Sequence, residues 1–106
     1  MIELNKENFE AEVLSNEGSV IVDFYGDGCL ACAALKPHYA ELSEKYGDKI
    51  KICALNTSKA RKLAITQGIM GLPTVVAYVG GKAEERLIKD EASPENVEEL
   101  IKKHID

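Results

Sequence analysis

The sequence predicts a small α/β domain, a sheet covered by helices on both faces, and three features of the chain carry that expectation. Val20-Ile21-Val22-Asp23-Phe24-Tyr25 is a nearly unbroken apolar and aromatic run, and Ile50 to Asn56 is a second. Runs of this kind suit strands buried on both faces, as in a parallel sheet. Stretches of helical period lie between and after them, and Gly80-Gly81 marks a hairpin between two further strands. The chain has 106 residues, long enough for one core and too short for two, so residues 1–106 are expected to form one domain.

Taken in order, Ile2 to Leu4 is a short first strand. Asn5 can cap a first helix, with Phe9 and Val13 four apart on its buried face. The Val20–Tyr25 strand is broken by Gly26-Asp27-Gly28, directly before Cys29. A helix follows, with Leu35, Tyr39, Leu42 and Tyr46 at i, i+4, i+7 and i+11; Pro37 inside it should bend it by removing one backbone hydrogen bond. After the Ile50–Asn56 strand, Ser58 can cap a short helix through Leu63 and Ala64, stopped by Gly68. Thr74 to Val79 is a strand, and Glu84 to Ile88 a weaker one beyond the glycine pair. The last helix is the best marked. Ser93 is its cap and Pro94 its first-turn proline; Glu95, Glu98 and Glu99 sit at the positive end and Lys102, Lys103 and His104 at the negative end. Val97, Leu100, Ile101 and Ile105 form its buried stripe. The order is βαβαβαββα.

Composition narrows the functions. The chain is 45% hydrophobic and 29% charged, ordinary for a packed globular protein. A net charge of −5 argues against nucleic acid and an anionic membrane surface as partners, and serves solubility. No stretch approaches the roughly 20 apolar residues that span a bilayer. The N-terminus mixes charges from its third residue onward, without the apolar centre of a signal peptide, so a cytoplasmic protein is expected.

The three cysteines are Cys29, Cys32 and Cys53. A secreted scaffold would normally carry more, in even number. In the chain-entropy view, a disulfide across the short Cys29–Cys32 loop would stabilise the fold by only about 2 kcal/mol. Catalysis or metal binding is the better use of such a pair. Extending the helical stripe backwards from Leu35 by three places Cys32 on the buried face. Cys29 then falls at the cap, where unpaired amide groups and the positive end of the dipole favour a thiolate. One sulfur is exposed and activated; the other lies sheltered behind it. Disulfide exchange needs that division, with Cys29 attacking and Cys32 resolving. Zinc is the rival, but it usually takes four ligands, and only Cys53, His38 and His104 are left to supply them. No metal is therefore expected.

Two more residues are anomalous. Asp23 interrupts an apolar strand: either it is buried, with a raised pKa suited to moving a proton near neutrality, or it faces water on a half-covered strand. In the first case Cys32 is its client. Pro73 opens a strand that reads as central, where proline is tolerated only at an edge or a turn; a cis bond would reconcile the two. Cys53 alternates with Ile52 and Ala54 and, if Ala54 faces Asp23, points to the other side of the sheet. It is then a small buried hydrophobe, the alternative being a regulatory thiol.

Val22-Asp23-Phe24-Tyr25 followed by Cys29-x-x-Cys32, and Gly68-Ile69-Met70-Gly71-Leu72-Pro73-Thr74 further on, resemble the signature segments of the thioredoxin family. The likeness covers essentially the whole chain. It implies a thioredoxin fold: a mixed five-stranded sheet of order β1-β3-β2-β4-β5 flanked by four helices. It implies Cys29 as nucleophile, Cys32 as resolving thiol, Asp23 as buried acid–base group and Pro73 as a cis-proline beside the dithiol. Tyr25, Gly28, Leu30, Ala31, Gly71 and Leu72 would meet the substrate, Leu72 through its backbone. Disulfide-containing proteins would be substrates and a thioredoxin reductase the electron donor; the redox-active disulfide itself replaces any cofactor, and a monomer is expected.

The departures are specific. Leu30-Ala31 stands between the cysteines in place of the usual Gly-Pro pair, which bears on the reduction potential and leaves room for an oxidant or isomerase. A non-catalytic binding module is the remaining alternative. Gly28 and Tyr25 replace two tryptophans, and the chain has no Trp at all. Ala54 replaces a lysine that commonly neighbours the buried Asp. A glycine usual on the docking surface is missing near Lys89-Asp90. A glycine before the dithiol resembles a subgroup of thioredoxins in amino-acid-fermenting anaerobes that feed electrons to glycine-type reductases.

Overall fold

The computed structural model describes residues 1–105. Its five strands are β1 (Ile2–Leu4), β2 (Ser19–Tyr25), β3 (Lys51–Asn56), β4 (Thr74–Val79) and β5 (Lys82–Ile88), in the spatial order β1-β3-β2-β4-β5. The first three run parallel; β4 and β5 are antiparallel to their neighbours. Helices α1 (Leu30–Tyr46), α2 (Arg61–Thr66) and α3 (Pro94–Lys103), with a π-helical turn at Glu10–Leu14, flank the sheet.

Period-two alternation sends each central strand's side chains into two cores. On one face Ile21, Ile52, Ala54, Val75 and Ala77 pack under Leu35, Tyr39 and Leu42 of α1 and Val97, Leu100 and Ile101 of α3. On the other, Val20, Val22, Phe24, Cys53, Leu55, Val76 and Tyr78 pack under Phe9, Val13 and Ala60. The fully buried Tyr39 hydroxyl donates to the Cys53 carbonyl at 2.7 Å, which fixes α1 to the middle of the sheet. The hydrophobic runs are thus covered on both faces, as their composition predicts. Cys53 lies in the core opposite Ala54, completely buried, and burial pushes its thiol up to about 11.

Several terminal signals act as expected. Phe9 and Val13 are buried, but Asn5 caps the turn that leads into the first helix and not the helix itself: its side chain accepts from the Glu7 and Asn8 amides at 2.9 and 2.8 Å, while Glu10–Leu14 has Phe9 as N-cap without a side-chain bond. The Ser93 hydroxyl accepts from the Asn96 amide at 3.1 Å with Pro94 at the first helical position. Gly68, at φ +72°, ends α2; the Gly68 amide donates to Ile65 and the Ile69 amide to Ala64, the paired bonds of a Schellman stop. Helix α1 runs unbroken through Pro37.

Ser58 is a correction. It does not cap α2. The Asn56 side chain accepts from the Ser58 amide at 2.9 Å and starts a 3-10 turn, Thr57–Lys59, while α2 begins three residues later without a side-chain cap. The Ser58 hydroxyl is thereby free to accept from the Asp27 amide at 3.0 Å. Three strand limits also move: β2 starts at Ser19, β3 starts at Lys51, and β5 starts at Lys82 because the two-residue Gly80-Gly81 turn pairs Val79 directly with Lys82.

Candidate active site

The junction of β2 and α1 builds the site. Cys29 is the N-cap of α1, and its Sγ accepts from the Cys32 amide at 3.2 Å. That contact places the sulfur among the unpaired amides of the first turn, at the positive end of the helix dipole. Cys32, one turn on, points inward and is 4% exposed, whereas Cys29 is half-buried. The two are joined as a disulfide, with Cα atoms 5.2 Å apart.

Gly28, immediately before, holds φ +74°, and a Cβ there would meet nothing within 4 Å. Its absent side chain therefore answers to backbone conformation and not to crowding. Gly26 answers to close approach: a Cβ on it would stand 2.8 Å from Leu72 Cδ1. The loop that carries the dithiol and the loop that ends in Pro73 are packed together through this pair. Thr57 Oγ1 donates to the Tyr25 carbonyl at 2.8 Å and secures the same loop from below.

Asp23, Tyr25, Gly28, Cys29, Leu30 and Cys32 line one cleft of about 310 Å³. Asp23 is 3% exposed, so the strand is covered and the carboxyl is buried. Its Oδ1 has no hydrogen-bond partner among the described residues. Burial pushes the carboxyl up to about 7, helped by the Glu3 charge and opposed by Lys36. Ala54 is its register partner in β3.

Ala31 and Pro73 lie elsewhere, lining a neighbouring depression with His38 and Lys89. The Leu72–Pro73 bond is cis, and the Pro73 carbonyl accepts from the Lys89 amide at 2.7 Å. Lys89 takes φ 56°, the left-handed backbone that a glycine would adopt without cost. Gly71 and Leu72 are half-buried in the loop before Pro73, and Leu30 and Met70 stand 87% and 92% exposed. Glu3, Gly26, Lys36 and Ser58 belong to the site but escaped the sequence reading. Lys36 had a signal, being four residues past Cys32 on the same helix. Glu3 had none, because only the pairing of β1 brings it there.

The family model for thioredoxin matches residues 1–103. The chain belongs to the thioredoxin family. A thioredoxin from Peptoclostridium acidaminophilum is 48% identical over 105 residues, covering 99% of this chain and 96% of that one. A thioredoxin from Acetoanaerobium sticklandii is 44% identical over 105 residues, covering 99% of this chain and all of that one. Among solved structures, Malassezia sympodialis thioredoxin superposes with a TM-score of 0.87 at 21% identity, covering 98% of this chain and 90% of that one. The five-strand order and flanking helices are those of the thioredoxin fold, the activity is protein-disulfide oxidoreduction, and the spacing of Cys29 and Cys32 fits a Cys-x-x-Cys active site. Among the described residues no helix is long and apolar enough to cross a membrane.

Proposed function

We propose that this chain is a dithiol reductant of protein disulfides in which Cys29 attacks, Cys32 resolves and Asp23 moves the proton. The observation that carries the reading is the inequality of the two sulfurs: Cys29 half-buried at a helix N-cap, Cys32 buried in the cleft that Asp23 lines. The Cys29 thiolate attacks one sulfur of a substrate disulfide; that S–S bond breaks, and the leaving thiolate takes a proton from water. A mixed disulfide now joins Cys29 to the substrate. Cys32 gives its proton to the Asp23 carboxylate and attacks Cys29 Sγ, expelling the second substrate thiolate, which is protonated in turn. Two electrons have passed to the substrate, and the Cys29–Cys32 disulfide remains. An ordinary carboxylate would be too weak a base for a thiol; one titrating at about 7 is far better matched.

The couple itself carries the electrons, so the chain needs no cofactor. Leu30 and the Gly71-Leu72-Pro73 edge offer apolar surface and backbone to an extended substrate. The chain works in the cytoplasm as a monomer, and a thioredoxin reductase regenerates it. Gly28 supports a narrower role, delivery of electrons to a glycine-type reductase in anaerobic amino-acid metabolism.

Cys29→Ser abolishes turnover and Cys32→Ser accumulates a substrate mixed disulfide, identified by mass spectrometry. Full activity in Cys29→Ser would end the assignment. The reduction potential, from thiol trapping in redox buffers, places the direction of flow: near about −270 mV for a reductant, above roughly −180 mV for an oxidant or isomerase.

A further inference from the structure

The β1–β3–β2 register sets Glu3, Ala54 and Asp23 in one row across three strands. The row continues on the other side through Val75 and Leu87, both apolar. Glu3 is thus the charged member of Asp23's row. Two strand spacings separate them, about 10 Å between backbones, and the residue between is alanine, too small to fill the gap. Glu3 is also held in place. Tyr25, two residues past Asp23 on the same face of β2, donates its hydroxyl to Glu3 Oε2 at 2.7 Å. Lys36 of α1 sets its ammonium 5.4 Å from the centre of the Tyr25 ring, on the same cleft.

We propose that Glu3, tethered by Tyr25, is a positioning residue that adds to burial in holding the proton on Asp23 and so tunes Asp23 as the base for Cys32. The inference deepens the reading of Asp23 as the proton carrier and rests on it. A carboxylate across the row repels the charge that Asp23 would gain on ionising, whereas Lys36 welcomes it. The opposed signs of these two neighbours agree with the direction each exerts on Asp23. The groups around the cleft are few. The N-terminal amine of Met1 precedes β1 and Glu3 comes from β1, Tyr25 and Asp27 from β2 and its loop, and Cys29, Cys32, Lys36 and Tyr39 from α1 and its N-cap; β3 and β4 contribute no charge beside Asp23. Glu3 itself is exposed, so its influence passes partly through solvent and is sensitive to salt.

The test is the titration of the Asp23 carboxyl carbon by NMR in the full chain with the Cys29–Cys32 disulfide intact. Glu3→Gln keeps an acceptor for the Tyr25 hydroxyl and removes only charge. It lowers the Asp23 midpoint by about half a pH unit, the size expected of one charge at that distance near a surface. The difference from the wild-type chain shrinks in about 1 M salt, where the Debye length is about 3 Å. Lys36→Gln moves the midpoint the other way. Tyr25→Phe, which frees the Glu3 carboxylate into solvent, lowers it by less than Glu3→Gln and serves as the second variant should the first misfold. An Asp23 midpoint unchanged in both Glu3→Gln and Tyr25→Phe overturns the proposal. The pH profile of disulfide reduction by Asp23→Asn separates the two readings. If that variant keeps the wild-type profile, Asp23 is not the base, and the NMR midpoints still decide what Glu3 does.

Discussion

Leu72 closes on Gly26, its Cδ1 lying where a Cβ on Gly26 would come within 2.8 Å. This contact couples the segment that presents Cys29 to the segment that ends at the cis Leu72–Pro73 bond, although 46 residues separate them in sequence. Gly26→Ala therefore pushes the end of the Leu72 side chain away and costs stability by about 1 kcal/mol, the low end of overpacking, because a half-buried side-chain terminus can shift. It is also expected to lower kcat/KM for protein disulfides, because the two segments together form the substrate face proposed above. Adding Leu72→Ala to Gly26→Ala restores much of the stability. A double-mutant cycle in urea showing simple additivity would deny the coupling.

Asp23 makes stability depend on pH in a direction opposite to a salt-bridged carboxylate. Its midpoint in the folded chain is about 7, against 3.8 for a free side chain, so the folded state holds the proton more tightly. The stabilisation is fully present below pH about 4, declines as the unfolded chain ionises, and is lost once pH passes about 7. Asp23→Asn removes this dependence. At pH 8 it is expected to be more stable than the wild-type chain by about 2–4 kcal/mol, and at pH 4 nearly equal. Urea unfolding at the two pH values measures both.

Gly28 separates a steric requirement from a backbone one. Because space is open around it at φ +74°, Gly28→Ala meets no clash and pays only for the left-handed backbone, about 1 kcal/mol. Gly28→Asn, which tolerates that region better, costs about half as much. Equal losses in chemical denaturation would mean that something other than backbone conformation decides this position.

Cys53 is expected to be inert while the chain is folded. It is completely buried, and its thiol is pushed up to about 11 by that burial. With Cys29 and Cys32 oxidised, an alkylating reagent labels Cys53 only as fast as the chain opens, so the labelling rate rises with urea. Rapid labelling in native buffer would instead favour a regulatory thiol.

Much of this was legible along the chain. The alternation of Val75 and Val76 between two cores, the buried stripe of Val97, Leu100 and Ile101, and the Ser93-Pro94 start of α3 all follow from local period and capping. Ser58 misled because Asn56, two residues earlier, competes for the same turn, and nothing local ranks a cap above a distant Asp27 amide. The strand at Asp23 could be read as covered or half-covered; only the packing of α1 over β2 decided that it is covered.

The sequence by itself determined the chemistry. It set two cysteines one helical turn apart at a strand–helix junction, a carboxylate inside an apolar run, and a proline opening a strand, because each depends on neighbours a few residues away. The tertiary structure decided what those groups feel. The burial of Asp23, the Glu3–Ala54–Asp23 row and the Gly26–Leu72 contact join residues that the chain separates by 20 residues or more. Desolvation and cross-strand register arise only when such segments meet, so no local pattern could announce them.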